Sequence, residues 1–263
     1  MHAAGTSHKK DKTGMNNSFF IGWDVGAWMT RRGDALWILN SNGATVGIPW
    51  CGNLGTALQE ANSAEDFIHA VFETCQEQIP TGKITITMAI DAPFAFPIGF
   101  VNLLGAFHSP EYLDDALGNP YLFRRTERYA AGFLGRNPLS AVQDRIGSQT
   151  TKILHFLTKF GLTNNAEGVW HDPMQDSFEL SVIEAYPAMC KALDGTIRPD
   201  PVNIFYQNQL ENNLTANQDI RDALLCAIIA HLHANNNGLL CQPVEGDNFH
   251  PLEGWIWFPV FNP

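Results

Sequence analysis

The stretch Lys83-Ile84-Thr85-Ile86-Thr87-Met88-Ala89-Ile90-Asp91 decides how the rest of the chain is read. Ile84, Ile86 and Met88 alternate with Thr85 and Thr87, the period of two that marks a strand, and Met88-Ala89-Ile90 then runs without a polar break. The spacing predicts a strand from Lys83 to Ile90 that enters the core and stops at Asp91-Ala92-Pro93, so a carboxylate stands where the chain leaves it. Just upstream, Ser63 with Asp66 three residues on is a helix-start signature. Phe67, Ile68, Val71, Phe72 and Cys75 then recur at helical spacing until Pro80. An amphipathic helix leading into a core strand is the crossover that parallel pairing requires.

Further out, Ser18 to Trp23 and Ala35 to Asn40 are short aromatic and aliphatic runs, and Ala44 to Trp50 follows the turn signal Asn42-Gly43; together they predict an opening antiparallel meander. Downstream, residues 94–139 are crowded with Pro, Gly and aromatics and predict an irregular insertion with short helices, the composition of a substrate-binding loop. Ser140 to Phe160 reads as a helix closed by Gly161, Thr163 to Asp176 as a polar loop, and Phe178 to Ala185 as another strand. Pro187 is placed to start a helix. Thr215 with Gln218 forms a second capping signature before Ile220, Ala223, Leu224, Ala227 and Ile228, the strongest helical pattern in the chain. Trp255 to Val260 is a last apolar piece suited to a sheet edge. The expected fold class is α/β: a mixed sheet, meander plus parallel strands, flanked by helices.

The chain has 263 residues, 45% of them hydrophobic, enough for a substantial core. No linker or repeat divides it, so residues 18–263 are expected to form one domain behind an unstructured or vector-derived tail at 1–17. No apolar run approaches the roughly 20 residues of a membrane span, which predicts no membrane partner. Five scattered cysteines without CxxC spacing argue against a disulfide framework or zinc knuckle and point to a reducing, cytoplasmic setting. The formal net charge is −11. The tail's three lysines against one aspartate supply +2, which leaves −13 for the body. Such a surface repels phosphate backbones, so a polyanionic substrate would need a local basic patch or bridging metal ions.

Carboxylates stand at the ends of several elements. Asp24 follows Phe19-Phe20-Ile21-Gly22-Trp23, and Gly26 beyond it would allow a ligand close to the backbone. Asp91 ends its strand in the same way. Glu184 lies within the largely apolar Leu180-Ser181-Val182-Ile183-Glu184-Ala185-Tyr186, where an unpaired charge is costly. Asp219 and Asp222 stand three apart on the opening turns of the long helix. Each has an ordinary explanation: a turn-forming Asp, a cap, a buried ion pair with an arginine, a carboxylate favoured by the helix dipole. Together they suit hard divalent cations. Two Mg²⁺ or Mn²⁺ ions about 3.5–4 Å apart activate water and steady the leaving oxygen in phosphodiester cleavage.

Ile21-Gly22-Trp23-Asp24-Val25-Gly26, Ala89-Ile90-Asp91-Ala92-Pro93, Arg124 to Arg128, Ile183-Glu184-Ala185-Tyr186-Pro187, Asp222-Ala223-Leu224-Leu225-Cys226-Ala227 and Glu253-Gly254-Trp255-Ile256 span most of the body. In their order and spacing they resemble the domain of unknown function 429 proteins, a family of predicted nucleases with an RNase H-like fold. The resemblance implies that Asp24, Asp91 and Asp222 are metal ligands, with Glu184 a weaker fourth acting as ligand or base. It also implies a metal-dependent nuclease or phosphodiesterase acting on nucleic acid or nucleotide phosphate. Arg124, Arg125 and Arg128 supply the local positive charge that gripping phosphate oxygens would need; equally, they suit structural pairing with Glu184.

Two other functions fit parts of the pattern. Asp24-Val25-Gly26 also looks like the first phosphate loop of the actin and sugar-kinase group of ATP-dependent phosphotransferases, although those proteins duplicate a core of which this chain holds one copy. A catalytically silent binding protein would use the aromatic stretch from Phe94 to Phe107 to hold a partner. His231 and His233, two apart on a helix, point to different faces and read as structural, and Cys190 and Cys226 fall at apolar positions where thiols are inert. His171-Asp172 reads as a turn.

Overall fold

The structure, a computed structural model, describes residues 17–106, 117–165, 167–173, 177–198, 202, 207, 209, 217–235, 238–243 and 249–260. In chain order the elements are β1 (Asn17–Asp24), β2 (Asp34–Asn40), β3 (Thr45–Gly52), α1 (Gly55–Glu60), α2 (Ala64–Thr74), β4 (Ile84–Asp91), α3 (Ile98–Ala106), α4 (Arg125–Leu134) and α5 (Gly147–Lys159). They continue with β5 (Thr163–Asn164), β6 (Trp170–His171), β7 (Phe178–Ala185), a 3-10 turn (Pro187–Cys190), α6 (Gln218–Ala234) and β8 (Ile256–Trp257). The fold is α/β, with one mixed sheet flanked by helices. Strand order is β3-β2-β1-β4-β7-β6-β5, with β8 also paired to β7. The meander β1-β2-β3 is antiparallel, while β1, β4, β7 and β8 run parallel.

The pleat of the central strands sorts their side chains into two layers. Phe19, Ile21 and Trp23 of β1, Ile84, Ile86, Met88 and Ile90 of β4, and Phe178, Leu180 and Val182 of β7 pack on one face with Phe67 and Phe72 of α2 and Phe156 of α5. Phe20, Ala89, Ile183 and Ala185 face the other way, against Ala223, Leu224, Ala227 and Ile228 of α6. Gly22 falls on this second face. A Cβ there would lie 1.8 Å from the Ala223 carbonyl oxygen and 2.4 Å from the Ala227 nitrogen, so α6 rests directly on the β1 backbone.

Several boundaries differ from expectation for local reasons. The helix expected from Ser140 begins at Gly147. Before it, Ser140 Oγ accepts from the amides of Val142 and Gln143 while Asp144 accepts from the Ser140 amide, which closes a separate turn. The polar loop after α5 contains the short hairpin β5-β6, two residues a side, too brief to show a period. The cap of α6 is Asn217, whose side chain accepts from the Ile220 amide; Thr215, the expected cap, lies outside the described residues. The Ser63–Asp66 capping box is present at α2, and Trp255 to Val260 contributes β8. Among the described residues no helix is long and apolar enough to cross a membrane.

Candidate functional site

Parallel strands deliver their carboxyl ends to one edge of the sheet, and ligands of open α/β sheets bind there. Asp24 ends β1 and Asp91 ends β4, and the two are register partners across the parallel pair. Both follow the phase of the second face, in step with Phe20 and Gly22 on β1 and with Ala89 on β4, so both sit beneath the start of α6. Asp222 immediately precedes Ala223, whose carbonyl lies over Gly22, so close packing at the glycine brings the first turns of α6 down onto β1, and the Asp222 charge is felt at both strand-end carboxylates. Burial pushes the Asp24 carboxyl up to about 9, reinforced by the charges of Asp91, Asp222 and Asp219 and opposed by Lys191. Burial likewise pushes Asp91 up to about 8, reinforced by Asp222 and Glu184 and again opposed by Lys191. Neither carboxylate has a hydrogen-bond partner among the described residues.

Asp222 differs from its neighbours. Lys191 Nζ is ion-paired to its Oδ1, and Gln218 Nε2 donates to its Oδ2 at 2.8 Å. Lys191 follows the 3-10 turn that Pro187 starts after β7, and the Arg198 side chain holds the Lys191 carbonyl at 3.1 Å. It was not legible as a site residue, because its partner lies 31 residues away.

Glu184 belongs to the opposite layer. Its register partner is Ile90, which pairs with Trp23 in turn, and that row faces α2 and α5. Arg124 Nη1 and Nη2 reach its two oxygens at 2.8 and 2.5 Å, and the Phe94 amide donates to Oε2 at 2.9 Å. Arg124 is fully buried; its Nε donates to Glu127 at 2.9 Å and its Nη1 to the Glu253 carbonyl at 2.9 Å. Burial opposes the Arg124 charge, but Glu127 and Glu184 outweigh it and raise its pKa; burial also raises the Glu127 carboxyl against the pull of Arg124. The ion-pair reading therefore describes Arg124 and Glu184, whose donors and oxygens are engaged with each other rather than with a substrate. Arg125 and Arg128 are half-buried. The Arg125 amide donates to Glu253 Oε2 at 2.8 Å, and Arg128 Nη1 to the Gly118 carbonyl at 3.3 Å.

A cleft of ≈ 220 Å³ opens at this edge, lined by Asp24, Asp91, Glu184, Leu139, Gln149 and Tyr186 among others. Gln149 Oε1 is buried there without a partner among the described residues. Gly26 serves the protein rather than a ligand: the Gly33 backbone packs against it, within 2.4–2.8 Å of where a Cβ would be, and Asp34 accepts its amide at 2.9 Å. Asp34 is itself paired to the fully buried Lys152 at 2.6 Å and accepts from Trp23 Nε1 and the Leu54 amide. This buried pair, which sequence reasoning missed, fixes the turn that carries Asp24.

Among the described residues no three His, Cys, Asp or Glu side chains form a ready-made metal cage. The donors that are present nevertheless fit Mg²⁺ or Mn²⁺. Mg²⁺ keeps several waters and is commonly held by one or two carboxylates, and Asp24 and Asp91 are two such groups with no hydrogen-bond partner among the described residues. Burial pushes the Cys190 thiol up to about 12 and the Cys226 thiol well above its usual value, so neither is a thiolate nucleophile at neutral pH. Comparison of the chain with protein-family models, curated proteins and solved structures finds no match in any of the three.

Proposed function

We propose that the protein is a metal-dependent phosphodiester hydrolase, a nuclease or phosphodiesterase, whose centre is Asp24 and Asp91 with Asp222 beside them. One observation carries the reading: two carboxylates at the ends of adjacent parallel strands face one cleft, are both held above the usual carboxylate range by burial and neighbouring acids, and have no hydrogen-bond partner among the described residues. The RNase H-like reading and the resemblance to the domain of unknown function 429 family are part of the same proposal. They are supported by an antiparallel β3-β2-β1 meander continued by parallel β4 and β7, and by acids on the first strand, the fourth strand and the long helix.

A bound Mg²⁺ or Mn²⁺ would supply a Lewis acid for the phosphoryl oxygen and a water activated at neutral pH. Asp24 and Asp91 would hold the ion, with Asp222 adding its charge nearby. Arg124 and Glu184 keep the Pro93–Phe94 turn and β7 at fixed distance, which sets the width of the cleft. A small cleft inside a strongly acidic body favours a small phosphodiester or a chain end over the interior of a duplex. Free cysteines throughout the described chain agree with action in the cytoplasm.

Purified protein with Mn²⁺ or Mg²⁺ is expected to cleave at least one of single-stranded DNA, RNA, a dinucleotide or bis(p-nitrophenyl) phosphate. EDTA, Asp24→Asn and Asp91→Asn should each lower the rate by about 100-fold or more. Inactivity across that panel, or activity untouched by EDTA, refutes the reading.

A further inference from the structure

We propose that the protein carries a second binding site, a cavity between the sheet and the last turn of α6, for a small neutral molecule of the cyclic-amide class that accepts hydrogen bonds through its carbonyl oxygens. The site is separate from the acidic cleft and independent of the metal-dependent reading. Its floor is Thr87 of β4 and Ser181 of β7, register partners on the face that α6 covers. Thr87 stands four residues before Asp91, about 13 Å back along the strand. The cavity measures ≈ 330 Å³, within the range of small-molecule sites. Trp257 and His233 wall it with rings at 83° and centroids 4.5 Å apart, a right-angled corner that suits a flat ring better than a flexible chain.

Two polar groups of the lining are buried without partners. Trp257 is 2% exposed and its indole N–H meets no acceptor; Thr87 is 5% exposed and its hydroxyl makes no hydrogen bond among the described residues. Unpaired groups at this depth cost free energy that an occupant recovers. A third donor is set from outside the cavity. Asn165 Oδ1 accepts from the Glu167 and Val169 amides at 2.9 and 3.0 Å, which fixes the side-chain amide and turns Nδ2 toward His171 Nε2 at 3.3 Å. Nε2 therefore accepts, the neutral imidazole carries its proton on Nδ1, and that N–H donates to Ser181 Oγ at 3.0 Å. The Ser181 hydroxyl hydrogen, with no other acceptor among the described residues, is left for the cavity. None of these donors is charged. Burial holds both imidazoles below their usual range, His233 at about 4, and the described lining includes no lysine or arginine. An anion would meet Glu167 and the acidic body with no cation to offset them, and a floor of N–H and O–H donors rejects a cation. A neutral acceptor remains.

The test reads the site through its own indole. In the isotope-labelled full chain the Trp257 N–H resonance, identified by its loss in Trp257→Phe, should move on titration with uracil, pyridone or valerolactam at millimolar concentration. Orotate and inorganic phosphate should leave it in place. Thr87→Val and Ser181→Ala should each weaken binding of the best of these probes by about three- to tenfold, the loss of one hydrogen bond. Ser181 is half-buried, so Ser181→Ala decides the matter if Thr87→Val does not fold. Asp24→Asn should bind the same probes with unchanged affinity, which separates this site from the acidic cleft. A Trp257 resonance that none of the three neutral probes moves means that the cavity takes water alone and overturns the inference. Tighter binding of orotate or phosphate, or affinity untouched by Ser181→Ala, overturns it as well. None of these outcomes bears on the metal-dependent hydrolase.

Discussion

Asp24 and Asp91 occupy positions at which a carboxylate resists ionisation, since burial and like charge both favour the proton. Their folded values, about 9 and about 8, lie above the roughly 3.9 of an unfolded aspartate, so between these limits the native state binds more protons than the unfolded one. The metal-free protein is therefore most stable below about pH 4 with respect to these groups, and loses that contribution as pH rises through 8 to 9. Asp91→Asn removes one source of the slope. In EDTA it should raise Tm at pH 8 by about 4 °C or more and change Tm at pH 5 by less, as read by thermal melts across pH. A lower Tm at pH 8 would mean that the Asp91 carboxylate is already compensated within the protein. Excess Mg²⁺ should reverse the ranking, because it stabilises only the chain that retains both ligands.

Among the elements, α6 positions the site, and Gly22 is the residue that admits it. Gly22→Ala puts a methyl group into the Ala223 carbonyl, a backbone atom that yields only if the whole helix moves. The substitution should cost about 2–3 kcal/mol in urea unfolding and should also weaken Mn²⁺ binding, since Asp222 and the charge pairing with Lys191 travel with the helix. Full stability with intact binding would show that α6 shifts freely. The elements were legible where a period ran long enough: Phe178 to Ala185 is the strand expected, residue for residue, and Asp91 ends its strand as read. Short pieces and distant partners were not. β5 and β6 are two residues each, and Arg124 meets Glu184 across 60 positions. Glu184 shares the cleft with Asp24 and Asp91, but its place on the opposite phase of the sheet was present in the sequence as parity. Glu184 keeps step with Leu180 and Val182, which face α2 and α5, but only the register of β4 on β7 fixes which phase faces α6.

At the scale of the molecule, Arg124 joins segments far apart in the chain: α4 through Glu127, β7 through Glu184, and the approach to β8 through the Glu253 carbonyl, while Glu184 in turn accepts from the Phe94 amide in the turn after β4. Replacing it by methionine keeps the volume and strands two buried carboxylates. Arg124→Met should cost about 3–5 kcal/mol, the penalty of an uncompensated buried charge, and Glu127→Gln in the same chain should recover part of it. Loss below about 1 kcal/mol in denaturant titration would show that water reaches these groups.

Glu253 completes this junction in a second way. Its side-chain oxygens accept from the Ile98 amide at 2.8 Å and the Arg125 amide at 2.8 Å, the first residues of α3 and α4. Asp24, Asp91, Glu184 and Asp222 all precede it in the chain, so during vectorial synthesis β1 to β7 and α6 emerge before the group that ties the two insertion helices to the sheet. A nascent polypeptide that has not yet delivered residues 253–257 holds Arg124 without its carbonyl partner and the cleft without its wall. Closure of the cleft is thereby deferred until the acidic edge has been enclosed, and a prematurely terminated chain is left with that edge open.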